Sequence, residues 1–295
     1  MFGAIKIADA GTPEWHEART KGLTGTDAAA ILGDLPWRTP LQVWAEKVGE
    51  AEPEPIDPSR AEIGHAMEGA ILDLYTARSG VKVDRTAPAL YRHPNHSWML
   101  GTPDAFAFKE RGVSANGCIR SAPGVVEAKW ANVFRKDEWS DGAPLWAKTQ
   151  ATHYACVLGL DWAAVAGIVG AEFMYEEFDT TAEARMEHRK RLGDWWKRHV
   201  LGGVAPEPTE RDRRTLGKMQ PENGATELDG QAQTVARMYL DSCDAYKKAE
   251  THRLRLGNAL RGLLRASGSR VAVGGGIAVK WTGNNQLRVT EQEAE

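Results

Sequence analysis

Cysteine is scarce. Cys118, Cys156 and Cys243 are odd in number and far apart, which excludes a disulfide framework, a Cys-x-x-Cys redox pair and a four-cysteine zinc or iron–sulfur site. No run approaches the roughly 18 to 20 uninterrupted apolar residues of a membrane span. Residues 1–13 carry Lys6, Asp9 and Gly11 where a secretory signal needs an apolar core. The expectation is therefore a cytoplasmic protein with no membrane partner. Charge of one sign is lacking too: the net charge is -3, so a nucleic-acid partner has to be held by local basic surface and not by the field of the whole chain. There is no internal repeat, and the only biased tract is a short acidic, proline-rich stretch at 50–58, read as a loop. Gly274-Gly275-Gly276 is not followed by Lys-Ser/Thr at phosphate-loop spacing, and no Gly-x-Gly-x-x-Gly opens a helix.

What remains is an ordinary globular composition, 42% apolar and 26% charged over 295 residues, enough for one large domain or a core with an appendage. A shift to Pro and Gly at 202–227 marks the boundary. The chain accordingly divides into a core over 1–203, a linker over 204–227 and an appendage over 228–295. Within the core, Thr26 or Asp27 caps a short alanine-rich helix, and further helices follow at 40–48 and 62–78, the last with Met67, Ile71, Leu74 and Tyr75 as its buried stripe. Strand-like runs follow at 89–92, 98–100, 104–108 and 124–130. A helix at 144–158, strands at 163–169 and 172–178 and a basic helix to Val200 complete it. That order predicts an α+β fold: a mixed central sheet flanked by helices. The appendage reads as a long helix, with Tyr239, Tyr246, Leu254 and Leu260 among its apolar positions, and a glycine-turned β-hairpin.

The chemistry concentrates in three carboxylates and a lysine. Glu127-Ala128-Lys129 sits in a strand, whose period of two puts Glu127 and Lys129 on one face. Such a triplet alone is most simply a solvated charge pair. Thr102-Pro103-Asp104 changes the reading, because Pro103 pre-sets an extended turn that delivers Asp104 beside Glu127 across a hairpin. Two carboxylates brought that close repel unless a divalent cation separates them, and hard oxygen ligands suit Mg2+, with Mn2+ as a substitute. Lys129 is then placed to position or deprotonate a water for attack on a phosphodiester. Glu68, in Gly64-His65-Ala66-Met67-Glu68, adjoins an apolar stripe where an ionised group needs a partner, either a metal or a helix-surface ion pair. Gln150 lies on the helix after the Glu-x-Lys strand, within reach of the same place. Arg19 offers a phosphate fork, and Thr24-Gly25-Thr26 offers hydroxyls and free N–H groups at a helix start. Eleven tryptophans are many; Trp195, Trp196, Trp139 and Trp146 read as packing before base stacking. The basic run 185–198 is either a solvated helix face or a track for the DNA backbone.

These residues, in this order, resemble the YqaJ-type viral recombinases, the family of phage lambda-type alkaline exonucleases with the PD-(D/E)xK restriction-endonuclease-like core. The resemblance is carried by Trp15-His16-Glu17-Ala18-Arg19, Leu23-Thr24-Gly25-Thr26-Asp27, Thr39-Pro40-Leu41-Gln42-Val43-Trp44, Gly64-His65-Ala66-Met67-Glu68, Leu100-Gly101-Thr102-Pro103-Asp104, Val126-Glu127-Ala128-Lys129 and the Gln150 helix. It implies metal ligation by Asp104, Glu127 and Glu68, with Lys129 as the catalytic lysine and Gln150 as a supporting residue. It also implies a 5′-phosphate site at Arg19, Thr24 and Thr26, where Thr26 stands in place of the lambda-type serine. The implied activity is a Mg2+-dependent 5′-to-3′ exonuclease on double-stranded DNA ends, making 3′ single strands for phage recombination. Implied partners are further copies in a ring-shaped trimer and a phage single-strand annealing protein, all in the bacterial host cytoplasm if the chain is phage-encoded. An endonuclease on the same core and a catalytically idle DNA-end-binding or assembly protein are the alternatives.

Overall fold

The computed structural model describes residues 3–53, 55, 57–85, 88–113, 119–219 and 224–292. Cys118, parts of the 50–58 loop and Pro221 lie outside them. The chain forms two compact units, Met1–Gln220 and Pro221–Glu295.

In the first unit, strand β1 (Ile5–Asp9) is followed by α1 (Pro13–Thr20), α2 (Gly25–Ile31), α3 (Pro40–Val48) and α4 (Pro58–Ser79). Strands β2 (Lys82–Asp84), β3 (Ala89–Arg92), β4 (Leu100–Gly101), β5 (Ala105–Val113) and β6 (Ile119–Ala131) come next. A 3-10 turn (Val133–Trp139) leads into α5 (Leu145–Leu158), strands β7 (Trp162–Val169) and β8 (Glu172–Asp179), and α6 (Ala182–Trp195), which runs on as a π-helical turn (Trp196–Leu201). The last helix of the unit is α7 (Arg213–Lys218).

The main sheet has the order β2-β5-β6-β7-β8. It is mixed because β6 runs antiparallel to β5 but parallel to β7. A parallel neighbour cannot be joined by a tight hairpin, so the chain must cross over, and α5 makes the crossing. The sheet separates two apolar clusters according to residue parity. Val125, Ala163 and Val165 pack with α5 residues such as Ala151, Tyr154 and Ala155. Val126, Ala128, Ala164 and Ala166 pack with Ile71, Leu72 and Tyr75 of α4. Glu127 and Lys129 share the parity of Val125, so they belong to the α5 side. A second small sheet, β1-β3-β4, braces the chain just before Asp104.

Differences from the sequence reading have local causes. The cap of α2 is Thr24, because Asp27 at the third helical position takes hydrogen bonds back from the Thr24 N–H and hydroxyl. The short strands β1 and β2 go unread, since three to five mostly exposed residues show no clear period. The linker drawn at 204–227 is in part packed structure: Asp212 and Thr215 are buried, and the hydroxyl of Thr39, which caps α3, donates to Asp212. Buried polar pairing fixed this segment where composition suggested a loop.

The second unit consists of α8 (Gly230–Ala266) and the antiparallel strands β9 (Val271–Gly274), β10 (Ile277–Trp281) and β11 (Leu287–Glu291). Gly275 and Gly276 make the β9–β10 turn with φ of 59° and 73°, the two left-handed positions a tight hairpin asks for. Strand β11 was not read from sequence. Tyr239, Tyr246 and Leu254 are exposed, so the apolar positions of α8 do not form a buried stripe within the described residues.

Candidate active site

Asp104 precedes β5 and stands one step beyond the last β5–β6 register pair, Ala105 with Val126. Its Oδ2 accepts the Ala128 N–H at 2.8 Å, so the carboxylate takes over a backbone donor where the ladder ends. On the next strand Glu127 is 2% exposed. Its Oε1 accepts from the Lys129 ammonium and from Gln150 Nε2, the latter at 2.6 Å, while Oε2 is buried with no hydrogen-bond donor. The structure thus brings Asp104, Glu127, Lys129 and Gln150 together. Gln150 Nε2 also donates to the Tyr154 hydroxyl at 2.9 Å, one helical turn on.

The electrostatics are those of crowded like charges. Burial, then the Glu127 charge, raises Asp104 well above the usual carboxylate range, and Lys129 offsets only part of this. Burial also raises Glu127 despite its ion pair with Lys129. Burial alone would lower the Lys129 ammonium; Glu127 and Asp104 more than reverse it, so its pKa is raised. Tyr154 is pushed well up by burial and by the two carboxylates, and keeps its proton.

Glu68 stands at the margin. Its charge acts on Asp104, Glu127 and Lys129, but its side chain is 35% exposed and pairs with His65 Nδ1 at 2.9 Å. Among the described residues, no three His, Cys, Asp or Glu side chains form a ready-made metal cage. The donor set still suits a hard divalent cation at two points, because Glu127 Oε2 lacks a donor and Asp104 is raised by burial and then by its neighbour's charge.

The start of α2 abuts this centre directly. A Cβ on Gly25 would lie 2.7 Å from Gln150 Cγ and 2.8 Å from Tyr154 Cε1, so only glycine lets the helix start approach so closely. Thr24 is buried and its hydroxyl is committed to Asp27, which removes it as a freely available phosphate ligand; Thr26 is half-buried on the same turn. Arg19 lies over the Trp15 ring at 4.1 Å, and Trp15 Nε1 donates to Thr102 Oγ1 at 3.1 Å, which ties α1 to the segment that delivers Asp104. Arg19 is near enough to Tyr154 for its charge to act on the phenol.

Sequence reasoning missed Tyr154, whose signal was its position four residues after Gln150 on one helix face. It also missed the brace under α2, where buried Asp27 binds Arg38 at 2.7 Å and Lys47 at 2.9 Å. These two cations hold the Asp27 carboxylate far below its usual range against the cost of burial. No local pattern announces that network. Arg185, grouped by sequence with the basic run, is structural: it donates to Leu160 O, at 2.6 Å, and to Asp161.

The family model for the YqaJ-like viral recombinase domain matches residues 14–161. The YqaJ protein of Bacillus subtilis (strain 168), itself uncharacterized, is 29% identical over 205 residues, covering 68% of this chain and 60% of that relative, less than two thirds of its length. The crystal structure of the alkaline exonuclease LHK-Exo from Laribacter hongkongensis gives a TM-score of 0.49 at 15% identity, covering 71% of this chain and all of that one. The complex of LHK-Exo with dAMP gives 0.47 at 16% identity, covering 65% of this chain and all of that one. The segment matched by the family model contains Arg19, the start of α2, Glu68, both strands of the acidic centre and the helix of Gln150, and on that match the chain belongs to the YqaJ-like viral recombinase domain family.

Proposed function

We propose that this protein is a Mg2+-dependent deoxyribonuclease acting on the ends of linear double-stranded DNA, a 5′-to-3′ exonuclease that leaves 3′ single strands for phage-type recombination. The observation that carries the reading is the convergence of Asp104, Glu127 and Lys129, with the second carboxylate oxygen of Glu127 buried and lacking an N–H donor. A module that only bound DNA would gain nothing from carboxylates that repel each other and the phosphate. Asp104 and Glu127 would hold the cation, with Glu68 joining them only by leaving His65. A bound divalent cation supplies Lewis-acid charge at the scissile phosphate. Gln150 fixes the orientation of Glu127, and Lys129 offers N–H donors to the attacking water and to the charge that grows on the phosphoryl oxygens. Arg19 and Thr26 would receive a 5′-phosphate beside the Gly25 contact, which sets the distance between the strand end and the bond that is cut. A phage single-strand annealing protein is the partner this activity calls for.

The test is a time course on end-labelled linear duplex, with a covalently closed circle beside it, with and without Mg2+. Wild type should shorten the linear DNA from its 5′ ends and spare the circle, and Lys129→Ala should slow this by about 10²- to 10⁴-fold while still folded by circular dichroism. Cutting of the circle would make it an endonuclease on the same core. Full activity in excess EDTA, or of Lys129→Ala, would remove the metal-and-lysine mechanism, and no cleavage at all would leave an end-binding protein.

A further inference from the structure

Beside the acidic centre is an aromatic group that the hydrolysis does not use. Trp37, between α2 and α3, is 49% exposed. The Trp146 ring meets it edge-on, with centroids 5.0 Å apart and planes at 72°. The Arg135 guanidinium lies over the Trp37 ring at 4.4 Å, and a two-pronged bond from its Nε and Nη2 to Glu138, at 2.6 and 2.7 Å, holds it there. Glu138 also accepts from Trp146 Nε1 at 3.3 Å. Trp146 is anchored against the core on its inner side, and its ring centroid is 5.6 Å from Lys129 Nζ. Phe134, next to Arg135 in the chain, is 91% exposed. Sequence reading treated Trp139 and Trp146 alike as packing; Trp139 is indeed buried, but Trp146 braces a half-exposed ring.

An isolated surface aromatic needs no explanation. Here three side chains, Arg135, Glu138 and Trp146, are spent on fixing one exposed indole, with a guanidinium over one face and a second indole in T-shaped contact. A ring immobilised in advance loses little entropy when something stacks on it, and every nucleobase offers a π-face to do so. The adjoining Lys129 suits a phosphate of the same strand. We infer that Trp37, backed by Arg135 and Trp146, is a stacking platform for an unpaired nucleobase next to the hydrolytic site. This deepens the proposed function: the strand passes the acidic centre with at least one base out of the duplex, and the platform reads its π-face without reading its identity.

The experiment uses the full chain in EDTA, where binding is seen without cleavage, and follows the anisotropy of a short 5′-phosphorylated thymidine oligonucleotide labelled at its 3′ end. An abasic residue is moved along the strand position by position. Wild type should lose about tenfold in affinity at one position, in line with roughly 1 to 3 kcal/mol per stacked base. Trp37→Ala should bind the intact strand with the same loss and no longer respond to the abasic residue, whereas Trp37→Phe should keep most of the response. Circular dichroism checks that the variants are folded. The platform is overturned if no abasic position matters, if Trp37→Ala responds as wild type does, or if neither strand binds. Hydrolysis of labelled duplex in Mg2+ reads the nuclease proposal separately. A chain that cuts DNA but ignores the missing base loses the platform alone; one that stacks but never cuts loses the nuclease reading alone.

Discussion

Arg19 shows how one side chain becomes available for a ligand. Its guanidinium is stacked on Trp15 and, among the described residues, is in no ion pair with a carboxylate, so on the proposed reading its fork keeps donors for an incoming anion. Thr24, by contrast, has been taken up by Asp27. A duplex with 5′-phosphates should therefore be degraded about ten to a hundred times faster than one with 5′-hydroxyls, the range expected for charge-assisted hydrogen bonds. Arg19→Ala should erase most of that ratio while changing the rate on 5′-hydroxyl ends much less. Equal rates on both ends by wild type would exclude the 5′-phosphate seat. Legibility at this scale was uneven. Asp104, Glu127 and Lys129 were readable because a proline turn and a period of two fix where they point. The commitment of Thr24, and the pairing of Glu68 with His65, depend on competition among neighbours that spacing does not encode.

Two helices carry predictions of their own. Helix α2 approaches α5 through Gly25, and a methyl group there would press on Gln150 and Tyr154. Gly25→Ala should cost about 1 to 3 kcal/mol of stability. It should also lower the cleavage rate by tenfold or more, because Gln150 orients Glu127. A variant that melts lower yet cuts at the wild-type rate would uncouple that contact from the site. Helices α5 and α6 meet through His153 and His188, whose rings are joined at 3.1 Å. His153 Nε2 faces the carbonyls of Leu23 and Leu100, so it carries the proton and Nδ1 accepts from His188. Burial lowers His153 to about 4 and, together with the charge of its partner ring, lowers His188 to about 3. Both folded values lie below the unfolded one near 6.5, so the unfolded chain binds more protons between those limits. Stability should be full above about pH 6.5 and fall by on the order of a few kcal/mol as pH drops toward 3. Replacing both histidines by glutamine should flatten that part of a urea-denaturation profile; an unchanged acid slope would assign it to other groups.

At the scale of the whole molecule, a net charge of -3 gives weak long-range attraction to DNA. Long digestion by such a chain needs basic surface concentrated toward the substrate, or retention by enclosure. Light scattering at micromolar protein should give about three times 32.3 kDa if a ring of three copies supplies that retention. A monodisperse monomer that stays processive in a trap experiment would dismiss the ring. Composition and period alone determined the α+β class, the order of most elements and the placing of Glu127 and Lys129 on one face of a strand, because these are local: a strand alternates, a proline extends the chain, a helix repeats every 3.6 residues. Tertiary structure decided the rest. The parallel pairing of β6 with β7 puts α5 over Glu127, so Gln150 and Tyr154 enter the site from some twenty residues away. Asp27 could be buried only because Arg38 and Lys47 arrive from α3 and the turn before it. Trp37, Arg135 and Trp146 lie in three separate segments of the chain. Sequence spacing fixes what a residue can reach along its own element, and only packing fixes which elements stand within reach of one another.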